Sequence, residues 1–72
     1  MSNSNDKRIA YTVENNGTTE FFNSGGYYIW SAGGKCIAYT ANSATMVWGG
    51  RRDVYKFDSQ GRATIVRSDN IW

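Results

Sequence analysis

The sequence predicts an all-β fold: a small antiparallel meander, barrel-like, of about seven short strands, built as two pseudo-repeated three-stranded units and a closing strand. Three observations lead there. Apolar-rich runs alternate with turn residues roughly every ten positions, the rhythm of a sandwich, barrel or meander. The chain also nearly repeats itself. Lys7-Arg8-Ile9-Ala10-Tyr11-Thr12 returns as Lys35-Cys36-Ile37-Ala38-Tyr39-Thr40, 28 residues on; Tyr28-Ile29-Trp30, followed by Gly34-Lys35, returns as Tyr55-Lys56-Phe57, followed by Gly61-Arg62, 27 on; Thr19 to Phe22 maps onto Thr45 to Trp48, 26 on. A unit of this length cannot bury its own apolar face and needs a copy beside it. Finally, no segment sustains helical periodicity; the best candidate, Ser43 to Trp48, carries Thr45 and Val47 and ends on a double glycine.

Residues 1–6 are Ser, Asn and Asp after the initial Met, with nothing to bury, and read as a disordered tail; 7–72 read as one domain. Ile9, Tyr11 and Val13 alternate with polar or small residues, the period of a half-buried strand. Asn15-Asn16-Gly17 then marks a tight hairpin turn. Thr18 to Phe22 is the second strand and Asn23-Ser24-Gly25-Gly26 breaks it. Tyr27 to Trp30 is the third, with bulky groups on both faces. Ala32-Gly33-Gly34 turns the chain into Lys35 to Thr40. Asn42-Ser43 leads to Ala44 to Trp48, and Gly49-Gly50-Arg51-Arg52 turns it again. Asp53 to Phe57, the turn Asp58-Ser59-Gln60-Gly61, and Arg62 to Arg67 complete the strands, leaving Ser68 to Trp72 as a tail. Tyr55-Lys56-Phe57-Asp58-Ser59-Gln60-Gly61-Arg62 is similar to the tyrosine-aspartate repeat of Rhs-type shell proteins, Tyr-x-Tyr-Asp-x-x-Gly-Arg, with Phe57 at the second Tyr. The likeness implies an aromatic hairpin around an Asp/Gly turn and carries no function.

Seventy-two residues make one domain of marginal stability, which usually needs a staple. The only cysteine is Cys36 and there is no histidine, so neither an internal disulfide nor a tetrahedral zinc site is available. Association is the remaining staple, and a homo-oligomer is expected. A polar N-terminus without an apolar core is not a signal peptide, and no run reaches membrane-spanning length. The expected address is the cytoplasm, of a cell or of one infected by an encoding phage or mobile element. Net charge is +2, from eight basic and six acidic residues, too mild to argue for nucleic acid by itself. Three Trp, five Tyr and three Phe are the unusual component, and proline is absent.

Enzymatic chemistry is not expected, and no cofactor or metal is implied. The commonest general base, His, is missing, and Cys36 has none to activate it. Mid-strand beside Ile37, Cys36 reads as a small core residue. Asp53 and Asp58 flank one strand five residues apart, on opposite faces and at opposite ends, and neither Gly33-Gly34-Lys35 nor Gly49-Gly50-Arg51-Arg52 has phosphate-loop spacing. The leading functional expectation is therefore a non-catalytic protein-binding inhibitor or adaptor. Tyr28, Trp30, Tyr55 and Phe57 are expected in the core. Tyr27, Trp48, Arg51, Arg52 and Trp72 are the candidate contact residues, because Tyr, Trp and Arg dominate binding hot spots. A second reading is a single-strand nucleic-acid module using Arg51, Arg52, Lys56, Arg62 and Arg67 on the outer side of the last hairpin. A third is a structural subunit of a homo-oligomeric assembly.

Overall fold

The computed structural model describes residues 6–71. Every regular element among them is a strand: β1 (Tyr11–Asn15), β2 (Thr18–Phe22), β3 (Tyr28–Gly33), β4 (Lys35–Tyr39), β5 (Ser43–Trp48), β6 (Arg51–Phe57) and β7 (Ala63–Asn70). All pairings are antiparallel and all join chain neighbours, β1-β2-β3 in one sheet and β4-β5-β6-β7 in the other. The sheets do not close into a barrel. The seventh strand covers the free edge of β6 and becomes the new edge.

Turn chemistry explains the hairpins. Asn16 (φ 54°) and Gly17 (φ 79°) occupy the left-handed region that a two-residue turn requires at both centres. The β2–β3 and β6–β7 loops share one device. Asn23 Oδ1 accepts the N–H groups of Gly25 and Tyr27 at 2.9 and 3.0 Å, and Asp58 Oδ1 accepts those of Gln60 and Arg62 at 2.8 and 3.0 Å. A short side-chain acceptor that captures its own backbone two residues on fixes a loop locally. Asn23 is fully buried, and its amide also donates to the Asp6 carbonyl at 2.9 Å. Asp6 is thus held, and it also pairs with Arg8. The rest of the expected tail, and Trp72, lie outside the described residues.

Some boundaries differ from the sequence reading. β6 begins at Arg51, so the double arginine is strand and not turn, and its two side chains take opposite faces. β7 runs on to Asn70, taking in residues read as tail, because Asp53 and Arg51 supply partners for Ser68. Ala32-Gly33-Gly34 is not a hairpin turn: β3 and β4 are separated by Gly34 alone and belong to different sheets. The chain there is one extended run bent out of the first sheet into the second, a known way of making a corner between sheets. Gly34 N–H donates to the Gly17 carbonyl at 2.7 Å, and its own carbonyl accepts from the buried Thr19 hydroxyl at 2.8 Å. At the other end, Ile9 N–H donates to Ala41 O while Ala10 N–H donates to Phe22 O, so two adjacent residues stitch the sheets together.

The two three-stranded units are present, but their correspondence is not that of the sequence repeat. Burial repeats element by element: β1 and β4 match, β2 and β5 each bury alternate residues (Thr19 and Phe21; Ala44 and Met46), and β3 and β6 follow in step. The matching positions lie 23 to 25 residues apart, where the sequence strings lie 26 to 28 apart. The two Ile-Ala-Tyr-Thr stretches therefore fall in unlike surroundings. Ile9 precedes β1 and is 6% exposed; Ile37 is the extra residue of a bulge in β4 and is 54% exposed. A one-residue slip in a strand exchanges the faces, so string similarity is a poor guide to structural register.

The core lies between the sheets. Ile9, Phe21, Ala44, Met46 and Phe57 are buried, with Ile29, Trp30, Ala32, Cys36, Tyr55 and Ala63 packed against them. Its aromatic centre is Phe21, Trp30, Tyr55 and Phe57, with ring centroids 4.9 to 5.8 Å apart and tilted or edge-on. Such pairs add about 0.5–1.5 kcal/mol each beyond their buried area. Of the four aromatics expected here, Tyr28 is the exception. It pairs with Phe22 across a bulge and faces away from the core, 54% exposed.

The acidic side chains at the sheet ends tie stability to pH. Asp53 is held below the usual carboxylate range by the Ser68 hydroxyl (2.6 Å) and by Arg51 (2.9 Å). Asp58 is held below it by the Arg62 and Gln60 backbone N–H groups and the Arg62 guanidinium. Both carboxylates lose protons more readily folded than unfolded. Their stabilisation is complete above the unfolded pKa of about 4 and is lost as pH falls through the lower folded values. Thermal melts are expected to hold a constant midpoint from pH 7 to about 5 and then decline. Asp58→Asn, which keeps the loop acceptor but cannot ionise, is expected to make that decline shallower; an unchanged pH profile would refute the assignment.

Candidate interaction surface

The alternation that sends Phe21 inward sends its neighbour Phe22 outward. Phe22 pairs with Tyr11 on one side and Tyr28 on the other. Tyr11 and Phe22 stack at 5.2 Å and 10°, and Phe22 and Tyr28 meet edge-on at 6.3 Å. Val13 and Glu20 sit opposite each other on the same outer face. The result is a strip of three rings across the outside of the three-stranded sheet, with Tyr11 40%, Val13 43% and Tyr28 54% exposed. The Asn23 loop anchors one end of the strip, and the Tyr28 hydroxyl is within hydrogen-bond distance (2.9 Å) of the Ser31 hydroxyl. Exposed apolar groups gathered on one face mark interaction surfaces, whereas scattered ones do not.

The outer face of the four-stranded sheet has a different character. Arg52, Val54 and Lys56 alternate along β6 beside Asp69, Arg67 and Thr64 of β7. Ile37 and Ala38 of the bulge join Val54, Arg52, Arg67 and Asp69 around a shallow depression. Asp69 serves both Arg52 (3.3 Å) and Arg67 (3.1 Å). Beyond it, Lys56, Arg62, Thr64 and Val66 line the flank of the last hairpin.

Of the five contact residues that the sequence nominates, Trp48 and Arg51 come together, as opposed residues beside the Gly49-Gly50 turn. Trp48 is 65% exposed and shares a hollow with Glu14, Gly17, Gly34 and Lys35. Arg51 is engaged with Asp53. Arg52 lies on the opposite face. Tyr27 is exposed at the far end of β2, in the Asn23 loop, and Trp72 is outside the described residues. Among the basic residues of the nucleic-acid reading, Arg52, Lys56, Arg62 and Arg67 gather on or beside one face, and Arg51 does not. Each of the four arginines of that group, Arg51 included in place of Lys56, has an aspartate partner.

Sequence reasoning missed Tyr11, Val13 and Phe22. The signal was the dipeptide Phe21-Phe22: two consecutive rings on one strand cannot both enter the same core. Cys36 faces inward, and burial pushes its thiol up, which leaves it a weak nucleophile. Burial also raises Tyr55. Among the described residues no three His, Cys, Asp or Glu side chains come together as a metal site would need. No protein-family model matches the chain, and no curated protein or solved structure matches it either.

Proposed function

We propose that the protein is a non-catalytic protein-binding module, of inhibitor or adaptor type, that engages its partner through the outer aromatic face of the three-stranded sheet. The observation that carries this reading is the outward ring strip in which exposed Tyr11 and Tyr28 flank half-buried Phe22, beside Val13. Rigid aromatic groups already held in place lose little entropy on binding and supply hot-spot area. The same strip speaks against the nucleic-acid reading. Stacking modules set their aromatics in a basic groove. Here the rings share their face with Glu20, and no Lys or Arg occurs from residue 9 to 34.

The test uses a Tyr11→Ser/Tyr28→Ser variant. Both side chains are largely exposed but lean on Phe22, so the fold is expected to persist with a midpoint lowered by roughly 5–15 °C, and binding is compared well below it. A partner recovered with the wild-type chain and re-formed from purified components is expected to bind the variant at least tenfold more weakly. Undiminished binding would place the contact elsewhere. Binding of a mixed single-stranded oligonucleotide with steep salt dependence would favour the nucleic-acid reading instead.

A further inference from the structure

The ionic pairing on this molecule is uneven. Every aspartate has an arginine partner: Asp6 with Arg8, Asp53 with Arg51, Asp58 with Arg62, Asp69 with Arg52 and Arg67. The two glutamates, Glu14 and Glu20, have none among the described residues, and both stand on the three-stranded sheet. That sheet carries no cation at all, whereas residues 35–71 hold six basic and three acidic side chains. On the outer face of the four-stranded sheet, Arg52 and Arg67 share one carboxylate and Lys56 has no ion-pair partner among the described residues, so positive charge is in excess. That face also exposes Ile37 and Val66. The molecule thus has an aromatic face carrying one carboxylate, Glu20, on one side of its core and an aliphatic, net basic face on the other; Glu14 alternates onto the inner side.

We propose that these two faces bind each other between copies: the Tyr11–Phe22–Tyr28 strip and Glu20 of one protomer seat on the Ile37, Val54 and Val66 face of the next, where Arg52, Lys56 and Arg67 meet Glu20. The proposal rests on the reading of the aromatic strip as a contact surface and names its partner as a second copy. Arginine and lysine over ring faces add cation–π attraction to the ion pairing. The outer face of the three-stranded sheet, three strands of five or six residues, spans roughly 20 × 15 Å, so the contact is smaller than a standard interface and of the weak, transient kind. Because the two faces lie on opposite sides of one protomer, the contact is heterologous and does not close on itself. It propagates as an open stack, which no single stoichiometry ends.

Sedimentation velocity of the full chain from micromolar to millimolar concentration tests this. In low salt the average mass is expected to climb steadily with concentration, and to drop when salt screens the charges. Glu20→Lys and Arg67→Glu are each expected to weaken self-association at least tenfold while the fold persists, Arg67→Glu at the cost of its exposed pair with Asp69 and a few degrees of midpoint. An equimolar mixture of one chain carrying Tyr11→Ser/Tyr28→Ser and another carrying Ile37→Ser/Val66→Ser should stop at a dimer, since each retains only one working face and the two working faces are complementary. A wild-type chain that stays monomeric at millimolar concentration in low salt overturns the proposal, as does a closed dimer unaffected by either charge reversal. If the monomeric chain still loses a separate protein partner through Tyr11→Ser/Tyr28→Ser, the contact reading stands and the second copy alone is wrong.

Discussion

Replacing Gly34 with alanine is expected to cost about 2–4 kcal/mol and to lower the thermal midpoint by roughly 10–30 °C. Two independent penalties meet at this residue. Its φ of +107° is one that side-chain-bearing residues rarely adopt, and an added Cβ would lie 2.6 Å from the Val47 carbonyl oxygen. That oxygen belongs to β5, which is paired on both sides, so it has little room to retreat. Gly34 also joins the sheets, through its bonds to Gly17 and Thr19, so strain here loosens the contact between layers as well as the local backbone. The neighbouring Gly33 is the control: it has ordinary φ and open space around its Cα. Gly33→Ala is expected to be neutral or mildly stabilising. Urea unfolding followed by tryptophan fluorescence separates the two, and equal effects would refute the account of Gly34.

Phe21→Ala is expected to be of similar or greater consequence, about 3–5 kcal/mol. Phe21 is completely buried and touches Trp30 and Phe57, the rings that join the two sheets. A domain of this size holds on the order of 4–11 kcal/mol in total. Removing the ring therefore takes a large fraction of its stability, and the thermal midpoint is expected to fall by roughly 12–40 °C. Phe22→Ala, one residue along and on the outer face, is expected to cost far less. If the two substitutions proved equally harmful, the assignment of inner and outer faces would be wrong.

The contrast between Phe21 and Phe22 also shows what was legible in the sequence. Alternation, Asn-Gly and Asp/Gly turn signals and the lack of helical period are local properties, and they located all seven strands. The placement of Lys56 opposite to Tyr55 and Phe57 follows from the same period of two. Which face of a strand meets the core depends instead on the other sheet. The string likeness sets Tyr28 beside Tyr55 and so inward, but a bulge opposite Phe22 turns it out. Ile37 likewise shares its neighbours with Ile9 in sequence and shares nothing with it in space, since Ile37 is the unpaired residue of a bulge. The aromatic strip was hidden for the same reason. Its three rings come from three strands, and only the cross-strand register brings them together. The Gly34 bend was unreadable because its requirement arises from Val47, thirteen residues away.

The order of strands in both sheets is the order of the chain, and this bears on how quickly the molecule assembles. Every ladder closes a short loop, so no hairpin waits for a distant segment to arrive, and the entropy spent on closing each is small. Topologies rich in such near-neighbour pairing reach the native state faster than sandwiches whose strands cross between layers. The encounters between the sheets span longer stretches of chain, among them Thr19 with Gly34, Ile9 with Ala41, Trp30 with Tyr55, and Phe21 with Phe57. The bend at Gly34 is where the chain leaves the first sheet for the second, so the two halves are joined through one covalent corner and the contacts between the layers.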